Sequence, residues 1–320
     1  MSRQKKILNL KILQYNVQLI HQIHISSGNN ARAKLIAEKI GTKYKNIDVI
    51  TFCEAFTQTA RNILIRNLKK YGYNFHTPVL NISNIKSNGG IFIISKHPII
   101  NYKFYVYNST KGTDSLVEKG VVKATLIIKN TTVNIFATHL QAWDTPENEL
   151  IRIEQINELQ NFITQQNLEK KDIVIVSGDF NTSLSTIKKS TLNKFIFPKL
   201  TSRQKYTSDP SSNSFVGLDG ADKYYNCVDS YYDNIINSKE NVYKKNFTYC
   251  ECCPKEMLDY IFYINDFKKP TFSENKIISL KTDIYKFKLW RLSWLNSIYF
   301  YTTDLSDHYP ILGSFKFEIK

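Results

Sequence analysis

Polar residues with usable chemistry recur where apolar runs of this sequence stop. Asn16 closes ILNLKILQYN, Glu54 closes IDVITFCE and His139 closes TVNIFATH. Asp179 and Asn181 close DIVIVSGDFN, Asp259 lies within MLDYIFYI, and Asp307 and His308 precede YPILGSFKF. A single Asp after a strand is an ordinary turn former. A series of such residues after buried strands is different, because strand ends in a layered fold converge on one rim. A hard cation such as magnesium takes carboxylate and amide oxygens, which Glu54, Asp179, Asn16 and Asn181 can supply. Histidines beside such a cluster offer a base for water and an electrophile for phosphoryl oxygens, the two requirements of phosphodiester hydrolysis.

The elements that must position these residues alternate along the chain. The first apolar strand precedes a helical stretch near Ala31 to Lys43, then the buried strand IDVITFCE. A helix from about Gln58 to Lys70 carries Ala60, Ile63, Leu64 and Leu68 at helical spacing. The strands GGIFIIS, GVVKATLIIK and TVNIFATHL follow. Asn148 to Gln165 reads as an amphipathic helix, with Ile153, Ile156, Leu159 and Ile163 on one face. Residues Thr182 to Cys253 are polar and irregular, and are expected to form long surface loops. No Pro/Gly/Ser linker divides the chain, so one α+β domain of stacked sheets over residues 1–320, acting as a monomer, is expected.

A hydrophobic share of 42% with 13% aromatics excludes disorder. The formal net charge of +15 favours an anionic partner, nucleic acid or an anionic membrane surface, without choosing between them. No apolar run can span a bilayer, and Leu8, Leu10 and Ile12 alternate as a strand does, not as a signal peptide. The expected location is therefore cytoplasmic or peripheral to a membrane, or outside the cell by a route that needs no signal. Five cysteines, three of them in YCECCP, imply no disulfide framework and read as free thiols on a loop. His21, His24, His76 and His97 read as loop, packing or turn residues.

The segments YN at Asn16, FCEAF, THLQAWD, SGDFN, LDYIF and LSDHYP resemble, in order and spacing, the endonuclease/exonuclease/phosphatase superfamily. The resemblance implies a four-layer α/β/β/α sandwich, deoxyribonuclease-like. Finer features (THLQAWD with Gln141 and Asp144, ISKHP, Lys119-Gly120 and SDHYP) are most similar to the neutral sphingomyelinases of bacterial type. That resemblance implies Mg2+ (or Mn2+ or Co2+) held by Glu54 and Asn16, with Asp179, Asn181, Asp307 and His308 completing the cluster. It implies His308 as the base for water, Asp259 as the carboxylate orienting it, and His139 at the phosphoryl oxygens or leaving group. Lys119 would touch the phosphate region, and Gln141 and Asp144 would lie on the substrate or membrane side.

The resemblance implies cleavage of membrane sphingomyelin to ceramide and phosphocholine, with nucleic acid, or another lipid cut by a phospholipase C-type activity, as the alternatives. The stretch KFKLWRLSWLNSIYFYTT separates lipid from nucleic acid. Trp290, Trp294 and neighbouring apolar residues among cations suit a lipid interface, and a membrane-contact hairpin at about 286–301 is expected.

Overall fold

Alternation on the first strand decides how the layers stack. The strand β1 (Lys6–Asn16) places Leu8, Leu10 and Ile12 in one apolar cluster, and Leu13 and Tyr15 in another. Successive side chains point to opposite faces of a strand, so both faces of this one are buried. The computed structural model describes residues 6–20, 28–209, 211–213, 254–290 and 297–319, and gives the backbone alone at 284–290 and 297–302.

After β1 come α1 (Asn29–Lys43), β2 (Val49–Cys53), α2 (Gln58–Lys69), β3 (Phe75–His76), β4 (Phe92–Ser95) and β5 (Ile99–Val106). A short 3-10 turn at Gly112–Leu116 precedes β6 (Gly120–Ile128), β7 (Thr131–His139), α3 (Pro146–Thr164) and β8 (Ile173–Asp179). The helix α4 (Leu184–Ser190) leads to β9 (Phe195–Ile196) and β10 (Lys199–Leu200). The last strands are β11 (Asp259–Ile264), β12 (Phe272–Ile277), β13 (Lys281–Trp290), β14 (Ser297–Asp304) and β15 (Ile311–Ile319).

Two large sheets result. One runs β10-β12-β15-β1-β2-β4-β3 and the other β5-β6-β7-β8-β11-β9. Leu10 and Ile12 of the first meet Val122, Ile135, Ile175 and Ile261 of the second in a cluster between the sheets. The outer face of the first sheet, through Tyr15 and Phe52, packs on Ile36 of α1 and Leu64 of α2. The outer face of the second, through Phe136 and Tyr260, packs on Leu159 of α3 and Ile187 of α4. The layers are therefore α/β/β/α, and each fully buried aliphatic or aromatic side chain contributes roughly 1.5–3 kcal/mol to holding them.

Helix α3 begins as its sequence dictates. Thr145 accepts a hydrogen bond from the Asn148 amide, and Pro146 occupies the first turn, where its missing N–H costs nothing. Its bounds, and those of α1 and α2, differ from the expected ones by a residue or two at an end. The stretch expected to be loop from Thr182 instead opens with α4, whose Ser183 cap accepts from the Thr186 amide at 3.2 Å. Strands β9 and β10 then each join a sheet edge. The expected hairpin is seen as backbone pairing, with β13 and β14 antiparallel from Lys286↔Tyr301 to Trp290↔Ser297. Trp294 lies outside the described residues, as do the cysteines of YCECCP and Cys227. Cys53 is buried on β2. His97 pairs with Asp48 across 3.0 Å, and His76 Nδ1 lies 2.9 Å from the Thr77 carbonyl oxygen, both away from the strand-end residues. Among the described residues, no helix is long and apolar enough to cross a membrane.

Candidate active site

The polar strand-end residues meet because they share the face that carries the inter-sheet core. On β1 that face runs Leu8, Leu10, Ile12 and then Gln14 and Asn16. On β8 it runs Ile173, Ile175 and then Ser177 and Asp179, and on β7 Val133, Ile135, Ala137 and then His139. Asp259 takes the same face of β11 as Ile261. The space between the sheets is thus apolar at one end and polar at the other. Register aligns the acids: His139 lies beside Asp179 in the parallel pair β7–β8, and Asp259 opposite Asp179 in the antiparallel pair β11–β8. Gly178 permits this approach, because a Cβ there would be driven into the Thr138 carbonyl oxygen.

Asn16 ties the two sheets together. Its amide donates to Glu54 Oε1 at 2.8 Å and to Asp179 Oδ2 at 2.9 Å. Glu54 follows β2 in a left-handed conformation at φ 58°, uncommon for a residue with a side chain. Gly90, itself at φ 66°, packs there, and a Cβ on it would lie 3.0 Å from Glu54 Cα. His139 Nε2 lies 3.9 Å from Glu54 Oε1 and 3.8 Å from Asp179 Oδ2. Asn181 is drawn in by its backbone N–H, which donates to Asp179 Oδ1 at 3.0 Å, while its side-chain amide donates to the Leu140 carbonyl. Asp307 accepts from Gln18 Nε2 at 3.2 Å.

This assembly crowds negative charge into a desolvated space. Burial and the neighbouring Asp307 raise Glu54 to about 7, although the Asn16 hydrogen bond, Lys119 and His308 act against the shift. Burial and Asp259 raise Asp179 to about 6. Carboxylates held this way are poor anions until a cation joins them. The donor atoms of Glu54, His139 and Asp179 all lie within 4.8 Å of one another, as do those of Asp179, Asp259 and His308. Oxygen donors predominate in the first group, with the Asn16 amide alongside, and this chemistry fits a hard divalent cation better than a thiophilic one.

The second group is a histidine with its orienting acid. His308 Nδ1 lies 2.6 Å from Asp259 Oδ2, so the Nδ1 proton is committed and Nε2 is left to accept. Burial alone would lower the His308 pKa, but Asp259, Asp307 and Asp179 together hold it well above its ordinary value. The opposite holds for His139. Burial, Lys119 and His308 keep its pKa well below the ordinary value. Lys119 Nζ sits 2.9 Å from His139 Nε2, where a neutral ring can accept, and His139 Nδ1 is buried with no hydrogen-bond partner.

The remaining sequence-derived positions divide. Lys119 is buried, 3.5 Å from Asp114 Oδ2 and against His139, so it belongs to the cluster. Gln141 is buried but faces the Lys111 backbone, accepting from its N–H at 3.0 Å and donating to its carbonyl at 3.1 Å. It therefore fastens a loop beside the cluster. Asp144 is exposed, and Trp290 ends β13. Sequence reasoning passed over Gln14, whose amide donates to Asp259 Oδ1 at 3.3 Å and whose oxygen accepts from Thr51 at 2.6 Å. The signal was available: Gln14 is polar on an apolar strand, two residues before Asn16 and so on its face. Asp114 has no comparable mark, since only the fold brings it to Lys119.

Comparison with known proteins agrees with this geometry. Residues 13–263 match the Endonuclease/Exonuclease/phosphatase family. The sphingomyelinase C of Bacillus cereus is 30% identical over 95% of this chain and 88% of that protein. The sphingomyelinase C of Listeria ivanovii is 29% identical over 95% of this chain and 86% of that protein. A crystal structure of a Staphylococcus aureus beta toxin variant with bound magnesium ions superposes at a TM-score of 0.75, with 27% identity, over 96% of this chain and 99% of that one.

Proposed function

The chain belongs to the endonuclease/exonuclease/phosphatase family, and on that premise we propose that it is a sphingomyelinase of C type, hydrolysing sphingomyelin to ceramide and phosphocholine. The observation that carries the chemistry is the buried pairing of Glu54 and Asp179 through Asn16, beside the His308–Asp259 pair. Glu54 and Asp179 would hold the divalent cation, magnesium or, in its place, manganese or cobalt, together with Asn16 once its amide turns the oxygen inward, and with Asn181, Asp307 and His308 around it. When bound, this cation supplies positive charge at the phosphoryl oxygens and relieves the crowding of the carboxylates.

The chain's own residues supply the rest. His308 Nε2 takes the proton from the attacking water, and Asp259 holds the ring in the required tautomer and shields the imidazolium that results. Lys119, the neutral His139 and the Asn181 amide line the space for the phosphoryl oxygens. A bond forms between the water oxygen and phosphorus, and the bond from phosphorus to the ceramide oxygen breaks. The proton removed from water ends, in net, on that ceramide oxygen. The paired strands β13 and β14 carry Trp290 and precede Asp307 and His308, which supports contact between this hairpin and the membrane that holds the substrate.

One assay decides the substrate class. The purified protein is offered sphingomyelin, phosphatidylcholine and DNA side by side with magnesium. Release of phosphocholine from sphingomyelin at the highest rate is expected. Cleavage of DNA with no release from either lipid would replace this reading with a nuclease.

A further inference from the structure

We propose a second lipid-contact surface, formed by Ile85, Leu116 and Trp143, which rests on the membrane bilayer as the active site takes its substrate. This inference rests on the membrane-lipid reading of the site. Ile85 is 97% exposed, Leu116 67% and Trp143 45%. Scattered exposed apolar residues are ordinary, but these three sit on segments fastened to one another. The Ser87 N–H donates to the Leu116 carbonyl, and the Glu118 N–H to the Ser87 carbonyl. The Ala142 N–H donates to Asp114 Oδ2 at 2.6 Å, and the Trp143 indole N–H to Thr113 Oγ1 at 3.4 Å.

The loops are also held rigid. The buried Glu118 carboxylate accepts from the backbone N–H groups of Ile82 and Ser83. Trp143 adopts φ 71°, a costly conformation for a bulky residue. The buried Arg152 secures it by donating to the Trp143 carbonyl at 2.7 Å and the Gln141 carbonyl at 3.2 Å. The fold thus spends strain to keep a tryptophan partly in solvent. Preformed apolar loops lose little entropy on reaching an interface.

A bilayer surface is the occupant these features fit. The loops adjoin the proposed site in space, because Asp114, which accepts from the Ala142 N–H, lies 3.5 Å from Lys119 Nζ. Lys86 and Lys111 accompany the apolar residues on the same loops, a mixture suited to the headgroup region and its phosphates. A lipid whose phosphate enters the Glu54–Asp179 cluster would remain part of the sheet of lipid on which these loops lie.

The test is co-sedimentation with vesicles of sphingomyelin, phosphatidylcholine and cholesterol in chelator, so that binding is read without turnover. The double variant Ile85→Ser with Leu116→Ser should lose vesicle partitioning by about tenfold or more, as two exposed apolar side chains no longer enter lipid. With magnesium it should lose vesicle hydrolysis in parallel, yet hydrolyse the soluble ester p-nitrophenylphosphocholine at the wild-type rate. In a protein whose Trp290 and Trp294 are both Phe, Trp143 fluorescence should shift to the blue on adding vesicles. Unchanged partitioning, an absent blue shift, or an equal fall on soluble and vesicle substrates would each overturn the surface. So would conversion of a wild-type dimer to a monomer with partitioning intact. A wild-type protein that partitions in this residue-dependent way but hydrolyses neither ester would sink the catalytic reading and leave the surface standing.

Discussion

Asp259 is held by both of its carboxylate oxygens, Oδ2 2.6 Å from His308 Nδ1 and Oδ1 3.3 Å from Gln14 Nε2. The backbone N–H of Asp259 is fixed as well, donating to Thr207 Oγ1 at 3.2 Å. The acid that orients the proposed base is thereby anchored from the facing sheet by Gln14 and from the loop after β10 by Thr207.

Replacing Asp259 with Asn should expose its role. His308 must be neutral to accept a proton, and its pKa is held above the ordinary value partly by Asp259. Without that charge the imidazole loses its proton at lower pH, so the acid limb of the pH–rate profile should move down. The plateau rate should fall by roughly 10²-fold or more, because ring orientation is lost. An unmoved profile with an unchanged plateau would remove Asp259 from the mechanism.

Gln14→Leu separates orientation from charge. The substitution keeps the volume but strips the buried Asp259 Oδ1 of its donor, at a cost of roughly 1–3 kcal/mol, while Thr51 keeps Ser177 as a partner. Thermal unfolding should report this loss, and turnover should fall severalfold in protein that remains folded. A variant as stable and as active as the wild type would show that the amide bridge carries nothing.

The strand-end residues were legible because strands are periodic. Asn16, Asp179, His139 and Asp259 each continue an inward-facing apolar series, which a count by twos recovers from sequence. Glu54 and Asn181 were also found, yet their positive φ values, 58° and 48°, could not be. What remained hidden depends on contacts distant in sequence. Gln141 reads as a substrate residue within THLQ, but its amide is occupied by the Lys111 backbone. Helix α4 escaped notice because its seven residues, LSTIKKS, are too few to show a helical period.

Cation binding should be linked to pH and readable without turnover. Glu54 and Asp179 have folded-state pKa values raised to about 7 and about 6, from 4.5 and 3.8. Each therefore stabilises the metal-free fold below its ordinary value, and that contribution is lost as pH rises through the raised one. His308 acts in the same sense and His139 in the opposite one. Magnesium must displace protons at low pH but meets ready carboxylates at high pH. Calorimetry should show a larger magnesium-induced rise in Tm at about pH 8 than at about pH 5.5. An equal rise at both would argue against these carboxylates as the ligands.

Trp290→Ala combined with Trp294→Ala tests the hairpin. Partitioning onto sphingomyelin vesicles should weaken by about tenfold or more, and vesicle hydrolysis should fall with it. Hydrolysis of a small soluble phosphocholine ester should stay near the wild-type rate. A parallel fall on both substrates would place the tryptophans in the packing of the protein.

The most direct measurement is phosphocholine release from sphingomyelin through a cycle of chelation and magnesium addition, run on the wild type, Glu54→Ala and His308→Ala. The wild type should fall to background in chelator and recover fully with magnesium. Both variants should keep the wild-type circular dichroism and remain orders of magnitude slower at saturating magnesium. Full wild-type activity in chelator, or a folded Glu54→Ala protein with wild-type turnover, would contradict a cation held at Glu54 as the centre of this site.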